Sequence, residues 1–422
     1  MRARRGRLRW LLRVLGPGLI TGASDDDPSG VATYAAAGAA FGYGTLWTAL
    51  VTFPLMAVVQ FVCAKVGMVS GCGLAGAIRQ HYPRWVYPVV LALVVANTIN
   101  AAADLSAVAA GINLLVPISI PLLVLPVGLG ILAFQVWGSY RLIARTFTGL
   151  SLCLLAYIGA AFLAGPDWWQ VARGALIPSV RPDGHFLMML VAILGTTISP
   201  YLFFWQANQE VEEEAARGRK RLGQRRGATA GELRDAAWDV GAGMFLSNVV
   251  MFFIILATAA TLHQAGRTEV GTAAEAAEAL RPLAGDGAFV LMALGLIGTG
   301  ALGVPVLTGS AAYATAEAFG WPSSLDARPR QAARFYAVMA ACTAGALAIN
   351  YLGIDPIKAL VWTSVINGFL SPPLLALVLL VANDRAVMGR HVNGWATNLL
   401  GWATAAFMAL AAGGLVWSWC RP

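Results

Sequence analysis

Three consecutive carboxylates lie inside the first long apolar segment, in the stretch 22–30 that reads Gly-Ala-Ser-Asp-Asp-Asp-Pro-Ser-Gly. An ionised side chain at the centre of a bilayer costs several kcal/mol, so such a cluster needs a polar environment or a function. Pro28 lacks an N–H group and leaves the carbonyl of Ser24 without its helical donor, while Gly30 tolerates non-helical dihedral angles. We therefore predict a helix that is broken at membrane depth over Asp27–Gly30, and a candidate cation site there.

A second proline interrupts an apolar segment near the middle of the chain. In the stretch 193–201, Ile-Leu-Gly-Thr-Thr-Ile-Ser-Pro-Tyr, Pro200 frees the carbonyl of Thr196 as Pro28 frees that of Ser24. Two interrupted spans in corresponding positions are typical of transporters built from inverted repeats, with the substrate site at the bilayer midplane. If five spans repeat twice, the first and sixth spans correspond and run in opposite directions.

The side chains at both breaks offer oxygen, and neither stretch contains His, Cys or Met. The half-helix before each break ends there with free carbonyls and the negative end of its dipole, which favours a cation. Carboxylate, hydroxyl and carbonyl oxygens suit hard ions such as Mg²⁺, Ca²⁺ or Mn²⁺. The oxygen donors around the predicted site are Asp27, Ser29, Thr196, Thr197 and Ser199.

The members of the acidic triplet cannot all face one ion, because consecutive helical residues point about 100° apart. Asp27 is the preferred metal ligand, since it precedes the proline at the predicted unwinding point. Asp26 is the second candidate, through a water molecule or at the mouth of the site. Asp25 is expected as a neutral carboxylic acid, because burial favours the uncharged form.

Further polar side chains lie inside other predicted spans. Asn97, Asn100 and Asp104 share one face of the third span. A carboxylate on such a face indicates a water path or the bundle interior, although a hydrogen-bonded helix contact explains the pattern equally well. The residues expected to line a water path or to support the ligands are Ser29, Asn97, Asn100, Asp104, Tyr201, Gln206 and Asn367.

The composition excludes a soluble globular protein, because 58% of the residues are hydrophobic and only 12% are charged. Apolar runs near the ~20 residues needed to cross a bilayer recur along the chain. The basic start precedes a run too long for a signal peptide, so we expect a retained first span. We predict an all-α integral membrane protein with about eleven transmembrane helices, at 12–40, 44–64, 86–112, 118–137, 142–164, 186–209, 239–262, 286–316, 334–351, 356–382 and 396–419.

The net charge of +8 follows the predicted topology. Most of the 29 Lys and Arg residues fall in the N-terminal segment and in alternate connections, so the positive-inside rule predicts a cytoplasmic N-terminus and an external C-terminus in the cell's inner (plasma) membrane. The charge therefore indicates orientation and no nucleic-acid partner. The expected division is a first repeat at 1–182, a second at 183–383 that includes a solvated cytoplasmic loop at 210–238, and a peripheral eleventh helix at 384–422.

The two interrupted spans resemble the signatures of the Nramp (natural resistance-associated macrophage protein) divalent-metal transporters. Gly16-Pro17-Gly18 followed by Asp27-Pro28-Ser29-Gly30 is similar to the first-helix pattern Gly-Pro-Gly and Asp-Pro-Gly-Asn, and 195–201 is similar to Gly-Ala-Thr-Val-Met-Pro-His. The likeness extends over essentially the whole chain. It implies the LeuT-type fold, a 5+5 inverted repeat with broken helices 1 and 6, and alternating access.

The departures from the family pattern concern the metal ligands. The family's Asn falls on Gly30, its Met on Ser199, and its Ala, which lends a carbonyl, on Thr196. The resemblance thus places Asp27, Gly30, Thr196 and Ser199 at the metal, and the oxygen donors beside the two breaks add Asp26 and Thr197 to the candidate ligands. Loss of the thioether removes the ligand that favours transition metals, and the pattern resembles the Nramp-related magnesium transporter branch, which carries a larger site for a hydrated ion.

Proton coupling is expected to be weak or absent. The family's histidine after the proline is Tyr201 here, and a second acid one turn after Asp104 is Ala107. The predicted function is secondary transport of a hard divalent cation, Mg²⁺ and also Mn²⁺, by a monomer in the lipid bilayer with no cofactor. The alternatives are a carrier of an organic cation or amino acid with the same fold, and a non-transporting sensor or structural relative. No nucleophile–base pair or cofactor motif indicates an enzyme.

Overall fold

The computed structural model describes residues 16–138, 155–270, 285, 287–353 and 356–420, and all regular structure in these ranges is helical. The helices of eight or more residues, in chain order, are α1 Pro17–Asp25, α2 Pro28–Phe41, α3 Trp47–Ser70, α4 Leu74–His81, α5 Pro83–Leu115, α6 Ile120–Trp137, α7 Leu155–Leu163, α8 Trp168–Leu176, α9 Gly184–Thr197, α10 Pro200–Ala216, α11 Ala230–Thr258, α12 Gly287–Phe319, α13 Ala333–Asn350, α14 Pro356–Asn383 and α15 Trp395–Trp419.

Nine stretches of the described chain are long and apolar enough to cross a membrane, and each coincides with one predicted span. The first predicted span is instead divided into α1 and α2, of 9 and 14 residues. The fifth, 142–164, lies largely outside the described residues, where only α7 belongs to it. The basic residues before position 14, Arg141, Arg145 and most of the predicted external loop 263–285 also lie outside them.

Both predicted breaks are present, and each is only two residues long. Asp26 and Asp27 separate α1 from α2, so the helix resumes at Pro28, earlier than the predicted break over Asp27–Gly30. Asp27 is extended and caps α2, its side chain accepting the N–H of Gly30. Proline fits the first position of each resumed helix, because that position needs no donor.

The predicted solvated loop 210–238 is wrong in its boundaries, because α10 continues to Ala216 and α11 begins at Ala230. The connection is therefore 217–229. Three glutamates expected in the loop are buried on α10, and each finds polar partners that replace water. Glu210 accepts from Gln206, Glu212 from Tyr313 and Ser324, and Glu214 from Arg219.

The half-helix α1 is held against α11 by backbone contact and by one carboxylate. A methyl group on Gly18 or Gly22 would overlap the backbone of α11, and one on Gly243 would overlap that of α1. Such small residues let two helices approach closely. At the start of α1, Asp239 accepts the N–H groups of Gly16, Gly18 and Leu19 at 2.7, 2.6 and 3.3 Å, which satisfies the unpaired donors of a helix N-terminus.

Candidate metal-binding site

Asp27 lies at the junction of the two broken spans, and its side chain is fully buried. Its Oδ1 accepts from the Ser29 hydroxyl at 2.5 Å and from the Gly30 N–H at 2.9 Å. Its Oδ2 lies 2.9 Å from the Tyr201 hydroxyl and 3.4 Å from Asn100 Nδ2. Donors on α2, α5 and α10 thus orient the carboxyl group, as burial of a polar group requires.

Hydroxyl groups connect the two breaks. The Tyr201 hydroxyl lies 3.0 Å from the carbonyl of Ser24, the group that Pro28 deprives of its helical donor. Ser29 Oγ lies 3.3 Å from Thr196 Oγ1 on the other broken span. The sequence indicated that Ser24 loses a partner, but Tyr201 was identified only by its place in the motif, and its two contacts depend on how the spans pack.

Serine hydroxyl groups lie beside the carbonyls of the second break. Ser199 Oγ lies 2.7 Å from the carbonyl of Thr196 and 2.8 Å from that of Gly195. Ser371 of α14 donates to the carbonyl of Ile198 at 2.7 Å. The single proton of the Ser199 hydroxyl serves either the Gly195 or the Thr196 carbonyl, so the Thr196 carbonyl, predicted to be free, has a donor within reach. It keeps a second lone pair, and the Ser199 hydroxyl retains acceptor capacity.

Several acceptors beside Asp27 are buried without a hydrogen-bond partner among the described residues. They include both carboxylate oxygens of Asp104 and the Oδ1 of Asn100. Gly303 lies close to both acids, since a methyl group there would lie 2.9 Å from Asp104 Oδ2 and 3.0 Å from Asp27 Cβ. Buried acceptors without a partner need a positive charge or a hydrogen-bond donor beside them. A bound cation provides the charge, and its hydration water provides the donor.

Asp26 and Thr197, both predicted as ligands, do not contact Asp27 through hydrogen bonds. Both carboxylate oxygens of Asp26 lack a partner among the described residues. Thr197 Oγ1 instead lies 3.0 Å from the Tyr34 hydroxyl and 4.0 Å from Met251 Sδ. This neighbouring cluster includes a thioether that the sequence did not indicate, because Met251 is one apolar residue within an apolar span.

Two residues predicted for a water path, Asn97 and Gln206, form helix contacts, and a third, Asn367, forms no such side-chain contact within the described residues. Asn97 donates to the carbonyl of Leu307 and to Ser310, both on α12. Gln206 accepts from Thr21 at 2.5 Å and donates to Glu210 at 2.9 Å. Asn367 is buried, and its Nδ2 has no partner among the described residues. Of the predicted face on α5, only Asn100 and Asp104 therefore face the break.

The site offers one oriented carboxylate and several neutral oxygens. Among the described residues no group of three or more His, Cys, Asp or Glu side chains is placed to hold a metal ion. Few protein ligands around a hard cation leave room for bound water, which Mg²⁺ in particular keeps. The arrangement suits transient binding of a partly hydrated cation better than a closed structural metal site.

The fold is similar to those of two solved transporter structures. The chain is similar to the crystal structure of the Eremococcus coleocola manganese transporter in complex with an aromatic bis-isothiourea substituted compound, with a TM-score of 0.73 and 21% identity, covering 98% of this chain and 89% of that chain. It is also similar to Mhp1, a nucleobase-cation-symport-1 family transporter, in a closed conformation with bromovinylhydantoin bound, with a TM-score of 0.58 and 16% identity, covering 96% and 92%. At these identities the likeness shows the fold alone, which is LeuT-type.

A family model described as natural resistance-associated macrophage protein-like matches residues 18–418. The match includes both broken spans and every residue placed around Asp27. This chain therefore belongs to the Nramp family of membrane transporters.

Proposed function

We propose that this protein is a secondary transporter that moves a hard divalent cation, Mg²⁺ and also Mn²⁺, by alternating access. Membership of the Nramp family and the likeness to a manganese transporter support a divalent metal as the cargo. The observation that carries the proposal is the pairing of an oriented buried carboxylate, Asp27, with the orphaned oxygens of Asn100 and Asp104. A divalent cation gives those oxygens the positive partner that they lack.

The lack of His, Cys and Met side chains at the two breaks supports a hard ion. The hydrogen-bond partners of Asp27 are hydroxyl, amide and backbone groups. Ser199, in the place of the family's methionine, offers a hydroxyl to the ion once it turns from the Thr196 carbonyl. Hydroxyl and carboxylate oxygens suit Mg²⁺ and Mn²⁺, whereas a thioether would add a ligand that favours softer ions. The ligands that we propose are Asp27, Thr196 and Ser199, with Asp26 and Gly30 beside the bound ion.

Weak or absent proton coupling is the second part of the proposal. A histidine changes its charge near neutral pH and can carry a proton with the substrate. Here Tyr201 takes that position, and its hydroxyl is engaged by Ser24 and Asp27. All four histidines lie at helix ends or in connections, and none contacts Asp27. We expect uptake of the cation without stoichiometric proton flux.

Uptake into proteoliposomes tests the proposal, with Mg²⁺, Mn²⁺ and Cd²⁺ compared side by side and the internal pH followed. We expect saturable Mg²⁺ uptake without acidification, reduced at least about 100-fold in Asp27→Ala, because even residues that only support a metal ligand change affinity about 10–100-fold. Asp167→Ala is the control, since it removes an exposed carboxylate that caps α8. Flux of none of the three ions, or normal uptake by Asp27→Ala, would contradict the proposal.

A further inference from the structure

A cavity of about 430 Å³ opens at the arginine-rich end of the bundle, away from the broken spans. The ends of α3 and α4, the connection 217–229 and the connection between α14 and α15 surround it. We call it the arginine pocket, and its polar walls include Arg226, Arg385, Arg390, His81, His391 and Gln80. Its volume is within the roughly 300–1,000 Å³ usual for small-molecule sites.

The arginine pocket has an uncompensated positive charge. None of its three arginines forms an ion pair with a carboxylate in the part of the chain that the structure describes. The acid adjoining the pocket, Asp384, lies 3.8 Å from His81 and also accepts the N–H of Ala386. Three guanidinium groups therefore line the cavity, with one carboxylate next to it.

The hydrogen bonds of the arginines leave most of their donors available. Arg226 reaches Gln80 Oε1 at 3.5 Å, the outer limit of a hydrogen bond. Arg390 Nε lies 3.3 Å from the ring nitrogen of His391. Each guanidinium carries five N–H donors in a rigid fork, so these contacts use only a small part of their capacity.

We propose that the arginine pocket binds a phosphate group. Guanidinium forks match phosphate oxygens in a bidentate manner, and several forks around one cavity are typical of phosphate recognition. Two sources offer this chemistry at a membrane surface, free phosphate in the aqueous phase and the headgroup of an anionic phospholipid. A phosphate held by Arg226 and Arg385 together would join the connection after α10 to the connection after α14.

The test compares two double variants of the full-length protein, purified in neutral detergent. Arg385→Gln/Arg390→Gln removes two guanidinium groups from the pocket. Arg328→Gln/Arg330→Gln removes the same charge from exposed positions in the connection between α12 and α13, at the same end of the bundle. Inorganic phosphate binding is measured by titration calorimetry, and binding of added phosphatidylglycerol against phosphatidylcholine by native mass spectrometry.

We expect the wild-type protein and the Arg328/Arg330 variant to bind the phosphate probe equally. The pocket variant should bind it at least about tenfold more weakly, because a hydrogen bond to a charged group contributes about that factor. Saturation by inorganic phosphate would identify a soluble ligand, and selective retention of phosphatidylglycerol would identify a lipid headgroup. Equal binding by both variants, or binding of neither probe by the wild-type protein, would overturn the proposal.

Discussion

Gly30 and Thr196 complement each other across the two breaks. A Cβ atom on Gly30 would lie 3.2 Å from the carbonyl oxygen of Asp25, 3.3 Å from Thr196 Oγ1 and 3.4 Å from Tyr34 Cε2. The Nramp signatures have Asn and Ala at these two positions. The larger side chain is therefore at the first break in the signatures and at the second break in this chain. We therefore interpret Gly30 and Thr196 as one linked change in the shape of the site.

A matched set of variants tests this linkage. We expect Gly30→Asn/Thr196→Ala/Ser199→Met to fold and to favour Cd²⁺ over Mg²⁺, because it adds a thioether and frees the space that the amide needs. Gly30→Asn/Ser199→Met, which keeps Thr196, should lose about 1–3 kcal/mol of stability through overpacking. Competition between Cd²⁺ and Mg²⁺ in proteoliposome uptake measures the preference, and an unchanged preference in the triple variant would contradict it.

The Tyr201 hydroxyl is expected to matter for both stability and uptake. Tyr201→Phe removes a hydroxyl whose single proton serves either the Ser24 carbonyl or Asp27, so one buried acceptor loses its donor, at a cost of about 1–3 kcal/mol. Tyr336→Phe is the control, because that hydroxyl also lies within hydrogen-bond distance of two carbonyls, those of Leu325 and Ala327, far from the breaks. Apparent melting temperatures and uptake rates are compared. Equal loss of uptake in both variants would contradict a specific role for Tyr201.

At the scale of elements, the half-helix α1 depends on a carboxylate from another helix. Asp239 accepts three N–H groups at the start of α1, two through Oδ1 and one through Oδ2. In Asp239→Asn one oxygen becomes an NH₂ group that faces an N–H donor, and the charge that favours a helix N-terminus is lost. We therefore expect α1 to open more readily, while the rest of the bundle stays folded.

Hydrogen exchange measures this opening directly. Amides 18–25 of Asp239→Asn should exchange about 5–30-fold faster than in the wild-type protein, which corresponds to a loss of about 1–2 kcal/mol of cap energy. Asp183→Asn serves as the matched control, because Asp183 caps α9 and accepts the N–H of Phe186. Faster exchange of α1 in the control, or no change in Asp239→Asn, would contradict the assignment.

The sequence predicted the elements better than their ends. Pro28 and Pro200 predicted both breaks, because the missing N–H is a property of the residue itself. The extension of α10 to Ala216 was missed, because a run of glutamates indicates a solvated surface unless partners such as Tyr313 are known. Tyr313 lies on α12, about a hundred positions later, and no local pattern reveals its contact with Glu212. The same limit applies to the contact between Thr197 and Tyr34.

At the scale of the whole molecule, the distribution of Lys and Arg predicts an external C-terminus. Cys420 is exposed at the end of α15, and Cys72 lies at the opposite, arginine-rich end. Burial and the nearby charge of Glu317 raise the pKa of the Cys72 thiol to about 11. Little thiolate is then present at neutral pH, so Cys72 should react slowly even when a reagent reaches it.

A membrane-impermeant maleimide applied to intact cells should therefore label Cys420 at once. Cys420→Ser should abolish that signal, and permeabilisation at pH 7 should add little from Cys72. Labelling of Cys420 only after permeabilisation would reverse the predicted orientation. It would also place the arginine pocket at the opposite surface of the membrane.

The glycine contact between α1 and α11 affects how fast the two helices can separate. Side chains that interlock must change rotamer before two helices can separate, but Gly18, Gly22 and Gly243 bring backbone directly against backbone. The two helices can therefore separate at this contact without any change of side-chain rotamer. For the proposed alternating access, the barrier to moving α1 then lies in its hydrogen bonds to Asp239, Gln206, Ser247 and Tyr201. The turnover rate should accordingly respond to substitutions at these four residues more steeply than to changes in the apolar packing of α1.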